Sequence, residues 1–125
     1  MNALLIFIGG GLGSLARYGT GKLFESFSTS GFPVGTLAAN IISSLILGLF
    51  LGLMPQLAGR FDSFRMFIAI GFCGGFSTFS TFSAETLEMI RNGMFAYAAL
   101  NILMSVTVCI ISIMIGLWAA RSIGM

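Results

Sequence analysis

The chain has 125 residues, of which 57% are hydrophobic and 8% are charged, and its net charge is +2. A soluble domain carries about 25% charged residues, and a soluble fold of this size exposes too much surface to hide so much apolar area. The composition therefore excludes an ordinary soluble enzyme, a disordered chain and a nucleic-acid-binding protein, and it indicates an integral membrane protein in a lipid bilayer.

The sequence also lacks the residues that most enzymes need. It contains no histidine, so the usual general base and the commonest metal ligand are missing. Cys73 and Cys109 form no C-x-x-C motif and lie in apolar stretches, which predicts two packed, free thiols. We therefore expect no enzymatic activity.

Charged residues divide the chain into four apolar blocks. A helix needs about 20 apolar residues to cross the hydrocarbon core of a bilayer, and each block can hold one such helix. The prediction is an all-α integral membrane protein with a single four-helix domain over residues 1–125, in which the transmembrane helices span 3–24, 33–54, 64–91 and 94–120.

The first two predicted helices carry small residues and a polar stripe. Gly9 and Gly13 form a G-x-x-x-G motif on the first helix, a spacing that lets helix backbones approach closely in lipid. Pro33 fits the first turn of the second helix, and Pro55 ends it. One side of the second helix carries Thr36, Asn40, Ser43 and Ser44.

The third predicted helix is unusual because paired glycines and a Ser/Thr cluster occupy its centre, between Gly71 and Ser83. Gly-Gly weakens a helix, and Ser and Thr side chains compete for its backbone groups. A break near 74–78 would free carbonyl groups, which suit a cation, and a helix N-terminus, which suits an anion. The alternative is an unbroken helix that uses these residues for packing.

Phe79 and Phe82 follow this cluster and lie three residues apart, so they share one helix face. The edge of an aromatic ring is electropositive. Two ring edges along a narrow path could contact an anion without binding it as tightly as a lysine would. The alternative is that both rings face lipid or the protein core.

The fourth predicted helix carries a second polar stripe, whose members fall within about 80° of arc. Intramembrane amides and hydroxyls either join helices or line a path, and the spacing does not decide between these roles. The stripe consists of Tyr97, Asn101, Ser105 and Ser112. Two more G-x-x-x-G motifs, Gly48–Gly52 and Gly71–Gly75, favour either tight packing or a dimer.

Basic residues are divided equally between the two sides of a four-helix topology. One side would hold Arg60, Arg65 and Arg121, and the other would hold Arg17, Lys22 and Arg91. The positive-inside rule therefore predicts no orientation. Either the insertion machinery sets a single topology, or each chain inserts both ways and pairs antiparallel.

Three sequence motifs stand out along the chain: GGGLGSLARY at 9–18, GTLAAN at 35–40 and GFCGGFSTFSTFSAE at 71–85. They resemble those of a known family, the Fluc (CrcB-type) fluoride channels. The resemblance covers nearly the full chain, and the third motif is highly specific. Ser77 stands where the family often has threonine.

This resemblance implies an antiparallel, dual-topology homodimer in the bacterial inner membrane that exports fluoride from the cytoplasm passively. It implies a third helix broken in mid-membrane and a structural Na⁺ at the dimer interface, bound by the backbone carbonyls of Gly74 and Ser77. Arg17 matches the family's first-helix arginine and is expected in the vestibule. The expected fluoride-binding residues are Phe79, Phe82, Asn40, Thr81, Ser105 and Ser112.

Two other functions remain open from the sequence. A small multidrug exporter would also have four spans and often dual topology, but the first helix has no acidic residue for proton coupling. A non-transporting membrane assembly subunit would show no ion flux after purification.

Overall fold

The computed structural model describes residues 1–27, 31–56 and 61–123 of the chain. Within these ranges every regular element is helical and no β-strand occurs. The first two helices are α1 (Asn2–Phe24) and α2 (Val34–Leu53), and 3₁₀ turns at Glu25–Phe27 and Met54–Gln56 follow them. Pro33 is the N-cap of α2, one residue before the position expected from the sequence.

The third helical segment is built from several pieces. It begins at Phe61, three residues earlier than expected, and Asp62 in its first turn favours the helix N-terminus electrostatically. Its successive parts are α3 (Phe61–Phe64), a π-helix (Arg65–Cys73), α4 (Gly74–Phe76) and α5 (Phe79–Arg91).

A tight turn joins α5 to the last helix, α6 (Phe95–Ile123). Gly93 has a φ of 75°, a left-handed conformation that glycine adopts without strain. Among the six basic residues of the chain, Arg60 lies outside the described residues.

Three segments are long and apolar enough to cross a membrane: Val34–Leu53, Asp62–Arg91 and Phe95–Ile123. The helix α1 has 23 residues, enough length to span, but its glycines and the charges of Arg17 and Lys22 make it less apolar. Among the described residues, length and composition thus indicate a membrane protein with three candidate spans.

Glycines bring α1 and the third segment into backbone contact. A Cβ on Gly9 would clash with the carbonyl oxygen of Phe67, and a Cβ on Gly75 would clash with that of Gly10. Gly71 in turn lies against the Cα of Gly9, 3.1 Å from where its own Cβ would be. Two of the G-x-x-x-G motifs therefore pack against each other within one chain.

The helices α2 and α6 form a second glycine-mediated pair. A Cβ on Gly48 would clash with the carbonyl of Ile113, and a Cβ on Gly116 would clash with that of Leu45. The third G-x-x-x-G motif therefore also serves packing within the chain.

The pattern of buried residues on α6 is the opposite of that in a helix of a soluble protein. Its buried residues are small or polar, namely Ala98, Asn101, Ser105, Ser112, Gly116 and Ala120. Its large apolar side chains point outward: Leu103 is 65% exposed and Trp118 is 70% exposed. Small and polar residues between helices with apolar residues outside are typical of membrane bundles. The protein is therefore a membrane protein.

Candidate functional site: a groove beside an interrupted helix

Two extended residues, Ser77 and Thr78, separate α4 from α5. Ser77 has φ −78° and ψ 156°, and Thr78 has φ −150° and ψ 119°. Gly74 and Gly75, which the sequence suggested as the weak point, are helical. Gly75 lies against the backbone of Gly10, where only a residue without a Cβ fits, so this glycine serves close packing.

Hydrogen bonds satisfy only some of the carbonyl groups that end α4. The Cys73 carbonyl accepts from the Ser77 amide at 3.0 Å, from the Ser77 hydroxyl at 2.9 Å and from the Ser43 hydroxyl at 3.1 Å. Within the part of the chain that the structure describes, we find no hydrogen bond to the carbonyls of Gly74 or Ser77. These two oxygens therefore remain available to a ligand.

The Arg17 side chain extends from α1 to the end of α4. Its Nε donates to the Gly75 carbonyl at 3.1 Å. The residue also lines a cavity of about 290 Å³ with Tyr18 and Lys22, at the end of α1. Arg17 thus anchors the end of α4 and places positive charge beside an open cavity.

Asn40 on α2 holds the extended backbone through both ends of its side-chain amide. The Thr78 backbone N–H donates to Asn40 Oδ1 at 2.9 Å, and Asn40 Nδ2 donates to the Thr78 carbonyl at the longer distance of 3.4 Å. Because an N–H group must face an oxygen acceptor, the first bond fixes which way the amide points. Asn40 Nδ2 carries a second N–H, and Asn40 also lines the groove described next.

The helix α5 begins with its own capping residue. Thr78 Oγ1 accepts from the Thr81 backbone N–H at 3.2 Å, which is the typical role of a threonine N-cap. The same hydroxyl donates to Thr81 Oγ1, also at 3.2 Å. Thr81 therefore belongs to the cap of α5 and is not brought to the groove.

A groove of about 250 Å³ lies between α2, the extended residues, α5 and α6. The Phe79 and Phe82 rings form one wall, with centroids 5.5 Å apart and planes at 47°. Phe79 is 79% exposed, so this wall is open in a single chain. The lining residues are Asn40, Ser44, Ser77, Thr78, Phe79, Phe82, Ser105, Val106 and Cys109.

The groove gathers residues that are far apart in the sequence. Of the six residues expected to bind fluoride, it brings together Asn40, Phe79, Phe82 and Ser105. Ser112 is buried and donates to the carbonyl of Val108 in its own helix at 2.7 Å. The reason is that α6 closes onto α2 at Ile113, so the groove ends before Ser112.

The groove also holds residues that the sequence reasoning missed. Thr78 contributes through its backbone conformation, which residue type alone does not reveal. Cys109 was expected to be a packed thiol, yet it lines the groove and is half-buried. A usable signal existed, because Cys109 follows Ser105 by one helical turn and so shares its face.

A second cavity, of about 310 Å³, lies near the start of α2 and the end of α5. Glu85 and Glu88 are among its lining residues, and within the described part of the chain Oε1 of Glu85 is buried without a hydrogen-bond partner. Two carboxyl groups therefore line this second cavity, and it shares no lining residue with the groove.

Comparison with known proteins shows the family of the chain. The model of the family described as "CrcB-like protein, Camphor Resistance (CrcB)" matches residues 4–117. A Coxiella burnetii protein is 44% identical over 98% of this chain and 100% of its own length. A Pyrococcus abyssi protein is 43% identical over 94% of each chain. Both relatives are named "Fluoride-specific ion channel FluC". The chain therefore belongs to the CrcB family.

Proposed function

We propose that this protein is a fluoride-selective channel that lets fluoride leave the cytoplasm passively, so that cytoplasmic fluoride falls. The observation that carries the proposal is the groove, which Asn40 lines together with Phe79 and Phe82. We take fluoride as the ion because both similar proteins are named as fluoride-specific ion channels. A channel of this kind makes and breaks no covalent bond, so the protein is not an enzyme.

The chemistry of the groove suits a small anion. Fluoride is strongly hydrated, so entry into a narrow path requires donors that replace its water. Asn40 offers an N–H, and the two rings offer electropositive edges. Among the described residues that line the groove, none is basic. The ion therefore meets many weak contacts and no strong one, which conduction requires.

The path requires a second copy of the chain, in our proposal an antiparallel one. Phe79 is 79% exposed, although its ring forms a wall of the groove, and a partner would cover it. The equal division of basic residues supports insertion in both orientations. The helix α1 then provides the fourth span, the interruption at Ser77 and Thr78 lies in mid-membrane, and the location is the bacterial inner membrane.

A structural Na⁺ at the interface of this dimer is part of the proposal. The carbonyls of Gly74 and Ser77 fit it, because hard cations prefer oxygen ligands and these two oxygens have no partner in the described part of the chain. Gly74 is exposed, and apart from its chain neighbours and its own helix no atom of the described residues lies within 4 Å of the position its Cβ would take. The described residues also contain no cluster of His, Cys, Asp or Glu that could hold a metal. When bound, the ion would supply positive charge at the junction of the two chains.

Fluoride efflux from liposomes tests the proposal directly. The purified protein is reconstituted into liposomes loaded with potassium fluoride, and a potassium carrier is added to relieve the electrical potential. A fluoride electrode should then record rapid release, whereas liposomes loaded with chloride should retain their anion. Release no faster than from protein-free liposomes would contradict a channel and would favour a non-transporting subunit.

A further inference from the structure

Three buried polar side chains connect the groove to the backbone of Phe82. Thr86 Oγ1 donates to the Phe82 carbonyl at 2.7 Å. Asn101 Nδ2 donates to Thr86 Oγ1 at 2.9 Å, and Ser105 Oγ donates to Asn101 Oδ1 at 3.3 Å. All three side chains are buried, and Asn101 is only 1% exposed. We call Ser105, Asn101 and Thr86 the relay.

The bond from Thr86 to the Phe82 carbonyl determines the direction of the other two hydrogen bonds in the relay. Thr86 has one hydroxyl proton, which it donates to the Phe82 carbonyl, so towards Asn101 its oxygen can only accept. Asn101 must therefore turn its NH₂ group to Thr86 and its Oδ1 to Ser105. As a result the Ser105 proton points at Asn101 and away from the groove.

This direction matters because Ser105 also lines the groove. An anion there needs the hydroxyl proton and is repelled by the oxygen lone pairs. The bond from Ser105 to Asn101 is the longest of the three, so it is the one most easily given up. An arriving anion can accept the Ser105 hydrogen bond in place of Asn101, and Asn101 Oδ1 can accept it again when the anion leaves, while the proton stays on Ser105 Oγ.

We infer that Asn101 and Thr86 are positioning residues that make Ser105 a shared donor, which alternates between Asn101 and the permeating anion. The inference rests on the proposed function. The relay thereby limits how long an anion stays beside Phe82. It also assigns Asn101, which does not line the groove, a role in conduction beyond joining α5 to α6.

Thr86→Val tests the relay because valine keeps the shape of threonine but has no hydroxyl. Without that acceptor the Asn101 amide can turn over and donate to Ser105, whose proton then always faces the groove. Fluoride should be held longer, so the fluoride concentration giving half-maximal flux should fall by about threefold or more, and maximal flux should fall as well. Thr86→Ser keeps the hydroxyl and should retain the wild-type values.

Two further variants separate this role from a merely structural one. In a Ser105→Ala background, Thr86→Val should leave the fluoride concentration giving half-maximal flux unchanged, because the Ser105 hydroxyl that it would redirect is gone. Ser112→Ala removes a hydroxyl from α6 that is equally buried but lies outside the groove, and it should have no effect. If Thr86→Val does not give a single peak on a sizing column, Asn101→Leu replaces it, since loss of Oδ1 also leaves the Ser105 proton to the anion.

The outcomes are distinct. An unchanged half-maximal concentration in the folded variant, or the same fall in the Ser105→Ala background, would overturn the relay and leave the channel intact. If the wild-type protein itself shows no fluoride flux, the proposed function fails, and the relay fails with it.

Discussion

The backbone N–H of Thr78 donates to Oδ1 of Asn40 at 2.9 Å, which joins an interrupted helix to its neighbour α2. An extended residue within a membrane helix has lost its usual backbone partners, and lipid offers none. Asn40 replaces them and at the same time has its own orientation fixed. The residue that stabilises the interruption thus also lines the groove.

Asn40→Asp should abolish fluoride flux, and it should also weaken the contact with Thr78, because the second carboxylate oxygen faces the carbonyl that Asn40 Nδ2 binds at 3.4 Å. The aspartate keeps an oxygen for the Thr78 N–H but replaces the NH₂ with a second oxygen. Two like charges 4 Å apart repel by about 4 kcal/mol at an effective dielectric constant of 20. We therefore expect efflux from liposomes to fall at least about 100-fold. Efflux near the wild-type rate, from a protein with an unchanged sizing-column profile, would show that Asn40 does not face the ion.

Phe79→Ile and Phe82→Ile should each sharply reduce fluoride flux. Isoleucine keeps most of the apolar bulk, so the loss of stability should be modest, about 1 kcal/mol. It lacks the electropositive ring edge, which is the property that the proposal requires. Flux is measured with the fluoride electrode, and assembly is measured on a sizing column.

Phe7→Ile is the matched control for these two variants. Phe7 is 78% exposed, almost the same as Phe79 at 79%, but it lies on α1 away from the groove. Its replacement should leave flux unchanged. If both groove variants conducted as well as this control, the rings would be space-filling, and the aromatic path would have to be abandoned.

Gly13→Ala should destabilise the protein, whereas Gly11→Ala should not. A Cβ on Gly13 would lie 2.8 Å from the Phe76 nitrogen and would clash with the Phe72 carbonyl, so α1 would be pushed off the third segment. Such overpacking costs about 1–3 kcal/mol. Apart from its chain neighbours and its own helix, no atom of the described residues lies within 4 Å of a Cβ on Gly11, so alanine there only improves helix propensity. The temperature at which the sizing-column peak disappears measures both effects, and equal temperatures would contradict the close backbone contact.

The apolar blocks, prolines and glycines of the sequence predict helical segments because each acts locally. The observed helix ends differ from the predicted ones where other contacts act at them. The third segment, for example, begins at Phe61 and not at residue 64, with Asp62 in its first turn. The π-helix over Arg65–Cys73 could not be foreseen, since no residue type specifies a widened backbone. Its course depends on packing against α1.

The groove was predictable in part for the same reason. Asn40 and Ser105 are polar residues in apolar stretches, so their residue types alone make them stand out, whereas Phe79 stands out by its spacing to Phe82 in the Ser/Thr cluster. Ser112 stands out equally but lies where α6 meets α2, and only the helix crossing shows that the groove has already closed. The hydrogen-bond direction through Asn101 depends on Thr86, 15 residues earlier, and no periodicity reveals it.

Insertion in both orientations is testable with single cysteines at opposite ends of the bundle. Ser63→Cys lies at the start of the third segment and Asn92→Cys just after its end, and both positions are exposed. Each is introduced after Cys73 and Cys109 have been replaced, and intact cells are treated with an impermeant thiol reagent. Because the basic residues are balanced, each cysteine should be labelled in about half of the chains. A single orientation would instead label one position fully and leave the other unlabelled. Two lysines added beside Ser63 should shift the labelling of both positions in opposite directions, which a topology fixed by the insertion machinery would resist.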